Sequence, residues 1–495
     1  MARIAIIGAG VAGLSAGIYA QRSGHNATVY ETHFRAGGNL TGWDRRGYHI
    51  DNCIHWLTGT NPVTDTYKTW QELGVLGEGV AVHRSEPMFT FEKDGERLSL
   101  GQSLDQFEQD LLTLSPRDER EIRSFVGAIR GFQRISGIGG EKNNRPATAA
   151  EKLAAIPAIA RYYGMSTGAL AQRFSHPVIV GLLESMMTDS FSALALLLVF
   201  ATITGGNGGV PEGASVAMAE RMSARFLSLG GSLRLGQGVE RINLKGGRGV
   251  SVTLEGGGAE SADYFIVTAD PAVTFGKLLD KGLMPRQLQR QYEDARLQRF
   301  SSYHCAFACD ADALPFRGDA VIEVPKALRD VLPAEYFLVR EFSHEESFAP
   351  KGRTVLQAMI YCREDEAREF IALSGDREAY GERKRQIALA VERIVTQKYP
   401  ALSHGLELLD VWTPATYHRY VHSEMGSWMS FALPAGRLPR RISPRIKGLE
   451  NVLLATQWLQ APGGLPIAAT VGKEAIGAIL KMERWRGAAQ SSASI

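Results

Sequence analysis

The sequence predicts an α/β protein whose parallel sheet is assembled from separated parts of the chain. Three stretches predict it. Residues Ile4 to Gly38 read as strand, glycine turn, helix, strand and acidic stop. Residues Val210 to Thr268 read as helix, strand, strand meander and a closing buried strand, and residues 449–482 as a last strand, glycine turn and helix. Helices set between continuous apolar strands indicate a parallel sheet covered on both faces. The stretches between these blocks are helical first and strand-rich later, which predicts a second, α+β unit.

The first block carries the most specific chemistry. Ile4-Ala5-Ile6-Ile7 is a buried strand, and Gly8-Ala9-Gly10-Val11-Ala12-Gly13 opens a helical pattern that runs to Gly24. Gly8 permits a tight turn, Gly10 lets backbone amides approach a pyrophosphate, and Gly13 lets the helix lie close on the strand. After Ala27-Thr28-Val29-Tyr30 comes Glu31, at the distance where a carboxylate accepts the hydroxyls of an adenosine ribose. Strand before, helix after and acid at the right spacing together indicate a dinucleotide site, where a lone GxGxxG would not. The same glycines argue against reading the apolar N-terminus as a secretory leader.

Further along, Asn52-Cys53-Ile54-His55-Trp56 puts aromatic and polar groups together in a short run, and Asp65 to Leu76 reads as a helix with Tyr67, Trp70 and Leu73 on one face. Met88 to Leu100 alternates as a hairpin through Lys93-Asp94-Gly95. Ser103 to about Ser185 is mainly helical, with Ser115-Pro116 as N-cap and first-turn proline and with Gly137 to Ala150 as a mobile connection. Glu151 to Phe174 is amphipathic; Leu153, Ile156, Ile159 and Ala160 share a face that is expected to pack in the core, with a membrane surface or greasy partner as the alternative. The longest apolar run, Ala193 to Thr204, is too short to span a bilayer and reads as core.

Val210-Pro211-Glu212-Gly213 leads into a helix from Ala214 to Leu229, closed by Gly230-Gly231. Strands follow at Ser232–Leu235, Val239–Ile242, Val250–Leu254 and Tyr264–Thr268, and Asp270-Pro271 caps the next helix. Ser301 to Tyr361 returns to strands, Arg377 to Lys398 is a long helix with a solvated charged face, and Trp412 to Phe431 is dense in aromatics and glycine. The last residues, 483–495, read as a flexible tail.

Composition narrows the function classes. With 44% hydrophobic and 22% charged residues the chain buries a large core, and a net charge of +2 provides no global field to recruit nucleic acid or an anionic bilayer. Four cysteines, Cys53, Cys305, Cys309 and Cys362, form no CxxC pair and read as buried thiols in a reducing compartment. His418 and His422 have the spacing of a metal-binding helix face but lack the glutamate of a zinc-protease motif, so no metal is expected. GxSxG, HExxH and an obvious carboxylate pair are also lacking.

Taken together, the three blocks resemble one family, the phytoene desaturase and carotenoid isomerase-like flavoenzymes, relatives of the FAD-dependent amine oxidases. The resemblance rests on Gly8 through Glu31 and Arg35-Ala36-Gly37-Gly38, on Gly209-Val210-Pro211-Glu212-Gly213 through Val239 and Ala269-Asp270-Pro271, and on Leu449 through Pro462-Gly463-Gly464-Leu465-Pro466. It implies a bipartite Rossmann-like FAD-binding domain from residues 1–85, 206–295 and 441–482, with an interleaved α+β substrate-binding domain from 86–205 and 296–440. It also implies the cofactor contacts. Gly8, Gly10, Val11, Ala12 and Gly13 would form the pyrophosphate turn and Glu31 would bind the ribose. Arg35, Gly37 and Gly38 would continue along FAD, and the Val239 backbone would meet adenine. Gly463, Gly464, Leu465 and Pro466 would sit beside the isoalloxazine. Where the family often has Gly-Asp, this chain has Thr456-Gln457; Gln457 is expected to hydrogen-bond the ribityl or phosphate without adding charge.

The implied chemistry is hydride transfer at flavin N5, with desaturation, saturation or cis–trans isomerisation of carbon–carbon bonds in an apolar polyene or isoprenoid-like substrate. His55, Trp56, Tyr417, Trp428 and Phe431 are the candidates for the catalytic end, against a core reading for each. The alternatives are a flavin amine oxidase and a silent flavin- and lipid-binding protein. The expected partner is an apolar small molecule, with a membrane surface as a second candidate and no nucleic acid; the expected location is cytoplasmic, with membrane association as the alternative, and the oligomeric state stays open.

Overall fold

The computed structural model of the protein describes residues 1–136 and 148–493. Strand Arg3–Ile7, helix Val11–Arg22 and strand Asn26–Glu31 form the first unit. The helix is buried continuously from Val11 to Ala20, which explains why its sequence shows no polar face. Gly13 and Gly17 allow this burial: a Cβ on Gly13 would sit 1.9 Å from the Gly8 carbonyl oxygen, and one on Gly17 2.8 Å from the Phe226 ring.

Five parallel strands make the first sheet, in the order Ser232–Leu235, Asn26–Glu31, Arg3–Ile7, Tyr264–Val267, Val452–Leu454. Ile6 lies opposite Val29 on one side and Ile266 on the other. Thus strands from three distant stretches share one sheet, and those nearest its centre are apolar along their length because both faces are covered. The helix Ala214–Ser228 packs on one face, and the closing helix, Leu465–Ala493, lies along the first helix. There Ser15 Oγ donates to the Ala469 carbonyl at 2.6 Å, and Gly472 lets the backbones meet. This helix runs on through Ala493, so the stretch from 483, read from sequence as a flexible tail, continues a helix.

A seven-stranded sheet organises the second unit, in the order Glu407–Trp412, Ser301–Asp310, Arg353–Cys362, Tyr336–Glu341, Asp319–Glu323, Phe89–Lys93, Glu96–Leu100. All pairs are antiparallel except Asp319–Glu323 with Phe89–Lys93. Tyr303, Cys305, Phe307 and Cys309 alternate onto one face, against Ile387, Val391 and Ile394 of helix Arg377–Lys398. Cys305, Cys309 and Cys362 are buried, as read from the sequence, and Cys53 is partly buried; burial pushes the Cys53 and Cys309 thiols up to about 12.

A helical layer over the other face includes Leu104–Leu114, Glu119–Ser136, Ile156–Tyr163, Pro177–Met186 and Ala193–Thr204. Ser103 caps the first of these, its Oγ accepting from the Gln106 amide at 3.1 Å. Ser115 makes no such cap: Pro116–Asp118 is a single tight turn, and the Ser115 hydroxyl donates to the Asp118 carboxylate. The helix expected over Asp65 to Leu76 stops at Glu72, where the chain turns through Gly74 at φ +77. The connection expected from Gly137 lies, up to residue 147, outside the described residues.

The amphipathic stretch departs most from expectation. Leu153 is 68% exposed, Ile156 52% exposed and Ala160 exposed as well, so these three are surface residues and not core. Ile159 packs partly on the helical core. No helix among the described residues is long and apolar enough to cross a membrane.

Candidate functional site

A cavity of about 1240 Å³ lies where the carboxyl ends of the parallel strands meet the second unit. Ligands of open α/β sheets bind outside those strand ends. Here the chain leaves strand Arg3–Ile7 through Gly8, at φ +100, a region that excludes ordinary side chains; a Cβ would also meet Thr268 Oγ1 at 2.4 Å. Thr268 Oγ1 donates to the Ile7 carbonyl at 2.8 Å and so ties two strand ends together. Gly10 lines the cavity, and a Cβ there would point into space with only the Gly37 carbonyl within 4 Å.

Glu31 holds this turn from the side. Its Oε2 accepts from the Ala9 amide at 2.8 Å and its Oε1 from the His33 amide at 2.9 Å. Each oxygen keeps a further lone pair, as a ribose diol requires. Gly37 N donates to Ala9 O at 2.9 Å, and the φ of +130 at Gly37 lets the loop through Gly38 fold back over the turn. Val11, Ala12, Arg35 and Val239 also line the cavity. Gly13 does not; it acts through the close approach to Gly8 described above.

The closing segment brings a second set of groups to the same cavity. Gly463 and Gly464 have φ of +81 and +90, and with Leu465 and Pro466 they line the wall at the start of the last helix. Gln457 lines it too, but its amide is engaged within the protein: Gly464 N donates to Oε1 at 2.8 Å, and Nε2 donates to the Trp428 carbonyl at 3.3 Å. It braces the glycine turn, where the sequence reading gave it a direct ligand contact. The Trp428 indole Nε1 and the Ser427 hydroxyl are buried without a protein hydrogen-bond partner, and both residues line this wall.

These features fit FAD. The glycine walls leave room that a Cβ would fill, Glu31 has spare acceptor capacity, and two helix N-termini, at Val11 and Leu465, favour the anionic parts of the cofactor. Orphaned donors at Trp428 and Ser427 offer hydrogen bonds to its polar edge.

Beyond the cofactor-binding residues the wall changes character. The stretch 86–205 contributes Phe89, Phe132, Ile159, Leu194, Leu198 and Val199 among others, and among the described residues every lining residue from it is uncharged. The run Ala193 to Thr204, read from sequence as core, is core on one side and cavity wall on the other. An apolar circumference is the signal for such a helix, but core burial gives the same signal. Leu338 and Met359 add apolar surface from the seven-stranded sheet.

His55, Trp56, Tyr417 and Trp428 all line the cavity, whereas Phe431 does not. The Phe431 ring packs between Tyr292, at 5.1 Å, and Trp458, at 5.0 Å, in the core beneath the site. Trp56 meets Phe89 edge-on at 5.9 Å. The Tyr417 hydroxyl belongs to a buried cluster: Trp412 Nε1 donates to it at 3.2 Å, and His304 Nε2 lies 3.2 Å away and 2.7 Å from Ser302 Oγ. Burial, with the nearby His55 and Arg340, keeps His304 well below the ordinary histidine range.

Sequence reasoning missed the group behind His55. His55 Nδ1 lies 3.7 Å from Asp319 Oδ2, and Asp319 is gripped by Arg340 through Nε and Nη2, both at 2.8 Å. Arg340 Nη1 also donates to the Ile54 carbonyl at 2.7 Å, fixing the backbone next to His55. Burial raises the Asp319 carboxyl, but Arg340 and His55 outweigh it and hold it below the usual carboxylate range. Burial and Arg340 push His55 below its ordinary value, against the pull of Asp319. An arginine and a glutamate ending the apolar strand Tyr336–Glu341 were the available signal. Elsewhere, His418 Nδ1 lies 3.0 Å from the Ser423 carbonyl, a local contact at the end of its helix.

A sequence profile of flavin containing amine oxidoreductases matches residues 11–479. Among curated proteins, the chain is 21% identical over 453 residues to a chloroplastic prolycopene isomerase of Daucus carota, covering 88% of this chain and 73% of the relative. It is likewise 21% identical to a 4,4'-diaponeurosporene oxygenase of Staphylococcus aureus, covering 95% and 96%. Among solved structures, an oxidoreductase from Methanosarcina mazei superposes with a TM-score of 0.62 at 16% identity, covering 96% of this chain and 99% of that one. A putrescine oxidase double mutant gives 0.60 at 17%, covering 97% and 99%. At these identities the structural likeness shows a common fold.

Proposed function

The chain belongs to the flavin containing amine oxidoreductase family, and from that premise we propose that it acts on carbon–carbon bonds of a long apolar polyene or isoprenoid substrate. It is an FAD-dependent oxidoreductase. The observation that carries the substrate class is the wall: among the described residues, those of 86–205 that line the cavity are all uncharged and mostly apolar. The relatives named for carotenoid chemistry support the same class. Such a wall holds a hydrocarbon by dispersion and burial.

Bound FAD supplies a hydride acceptor or donor at N5. The chain's share is positioning, exclusion of water and proton handling. Gly8 to Ala12, Glu31, Arg35, Gly37, Gly38 and Val239 would hold the adenosine diphosphate half, and Gly463 to Pro466 the flavin half. Phe132, Leu194, Leu198, Leu338 and Met359 would line up the hydrocarbon and keep water from the reacting carbons. His55, Trp56, Tyr417 and Trp428 are the polar and aromatic groups at the head of that channel.

A membrane surface is the natural source of such a substrate, and the exposed apolar residues support contact with one. Ile159, Leu198 and Leu438 line the cavity, while Leu198, Leu438, Ile156 and Leu153 are also 44%, 59%, 52% and 68% exposed. The Tyr163 carbonyl accepts from Gly436 N at 2.7 Å, joining the helix Ile156–Tyr163 to the Leu438 loop. Exposed Lys152 and Arg440 flank the patch and suit an anionic headgroup layer.

The test is anaerobic flavin spectroscopy of the purified protein against polyenes, isoprenoids and amines, with mass spectrometry of products. Flavin reduction or reoxidation with a two-hydrogen mass change marks desaturation or saturation, and altered geometry at constant mass marks isomerisation. Peroxide formed with amines alone would replace this reading by amine oxidation. Tight lipid retention with a flavin that never turns over would leave a binding protein.

A further inference from the structure

A second, small cavity of about 30 Å³ lies behind His55, walled by His83, Arg84, Asp319, Arg340, Glu341 and His344 among others. Among the described residues His55 is the one residue that lines both this cavity and the large one. The two differ in kind. Along 86–205 the described wall of the large cavity is uncharged, whereas the small one gathers charged and imidazole groups beside Met88, Ile203, Val210 and Phe342 and is large enough for one or two water molecules with several polar partners. Its wall includes the exposed residue Gln102, which does not line the large cavity. His344 stacks on His83 with ring centroids 3.9 Å apart and planes 7° apart, and both ring nitrogens of His344 are buried without a protein partner.

We propose that this polar cavity is the proton route of the site, with His55 exchanging protons with the substrate on one side and with cavity water, relayed by His344, on the other. The proposal rests on the carbon–carbon reading above. When two hydrogens leave neighbouring carbons, one departs as a hydride to oxidised FAD. The other departs as a proton to an imidazole nitrogen of His55, and the electron pair of that C–H bond becomes the new π bond. His55 then passes the proton to cavity water. In saturation the same group supplies the proton. A hydrocarbon lying along the 86–205 wall carries no protons, and the polar cavity behind His55 offers a supply on its other side. The groups around His55 suit this traffic: Asp51 from the end of the strand Tyr48–Asp51, and Asp319, Arg340 and His304 from the seven-stranded sheet. Burial and Arg340 keep the imidazole neutral, ready to accept, and Asp319 steadies it once charged.

The experiment is deuterium exchange at the histidine C2 position of the flavin-loaded protein, read for each histidine by mass spectrometry, with and without squalene. His344→Phe preserves the stack on His83 and loses no protein hydrogen bond. With squalene bound, His55 is expected to keep exchanging in the parent protein and to slow at least tenfold in His344→Phe. Gln102→Trp, at the exposed end of the small cavity, serves as a second block that leaves the buried groups intact. Equal His55 rates in parent and blocked variants would overturn the proposal, as would squalene alone stopping exchange in the parent. If squalene and every polyene tried leave the flavin spectrum unchanged, the substrate reading fails separately. The comparison of blocked and parent protein without squalene then decides the route, equal rates again overturning it. In turnover, His55→Gln is expected to lower kcat at least a hundredfold with little change in KM and to abolish the acid limb of the pH profile.

Discussion

A Cβ at Gly13 has nowhere to go, because the Gly8 carbonyl oxygen would lie 1.9 Å from it. The first helix would have to lift from its strand, and the pyrophosphate turn with it. Gly13→Ala is therefore expected to cost about 1–3 kcal/mol, the usual range for overpacking, and to release most of the flavin, read as the flavin-to-protein ratio after gel filtration. Gly127→Ala is the control. It sits in helix Glu119–Ser136 with no atom near a new Cβ, so it is expected to stabilise by roughly 0.5–1 kcal/mol; a loss of flavin there as well would show that the argument from close approach is wrong. The Arg340–Asp319 pair makes a sharper case. Arg340→Met strips a buried carboxylate of two hydrogen bonds and frees the Ile54 carbonyl. Removing one member of such a pair costs about 3–5 kcal/mol. Denaturant unfolding should show a loss of that size, and a loss under 1 kcal/mol would mean that water reaches Asp319 freely.

At the scale of elements, what was legible in the sequence was local and what was not was long-range. The turn from Gly8 to Gly13 and the apolar run of Tyr264 to Val267 declare themselves because adjacent residues decide them. His55 and Asp319 meet only through the register that sets Asp319 opposite Arg340 and the bond from Arg340 to Ile54, and no spacing in the chain announces it. Phe431 and Trp428 lie three residues apart in one aromatic stretch, yet one enters the core and the other the cavity. Helix Ala193–Thr204 is apolar all round because core and channel make the same demand. Helix Ile156–Tyr163 shows the converse, an apolar face left outside. Replacing Leu153, Ile156 and Leu438 together by serine is expected to abolish flotation with phosphatidylcholine–phosphatidylglycerol vesicles while flavin content stays unchanged. Equal flotation of parent and variant would exclude this face as the membrane contact.

Across the whole molecule, several buried histidines face one another across the two units, and this sets how stability follows pH. His55 and His304 lie below the ordinary histidine value, chiefly through burial, and burial with His83 and Arg340 takes His344 down to about 3. In the unfolded chain the same side chains take up protons below about pH 6.5. Unfolded protein thus binds more protons than folded protein in that window, and stability falls as pH falls. Each histidine that stays neutral contributes a slope of about 1.4 kcal/mol per pH unit. Asp270 and Glu345, whose carboxyls burial raises, act with the opposite sign and soften the decline at the acid end. Asp319, held low by Arg340, steepens it again once the pH approaches its own range. Urea midpoints are therefore expected to change little between pH 8 and 7 and to drop steeply from 6 to 5. His344→Phe, with one fewer proton to exclude, should show a visibly shallower drop and a higher midpoint than the parent at pH 5. A parent midpoint that holds steady to pH 5 would mean that these imidazoles accept protons in the folded state, and that the site holds His55 charged, not neutral, at working pH.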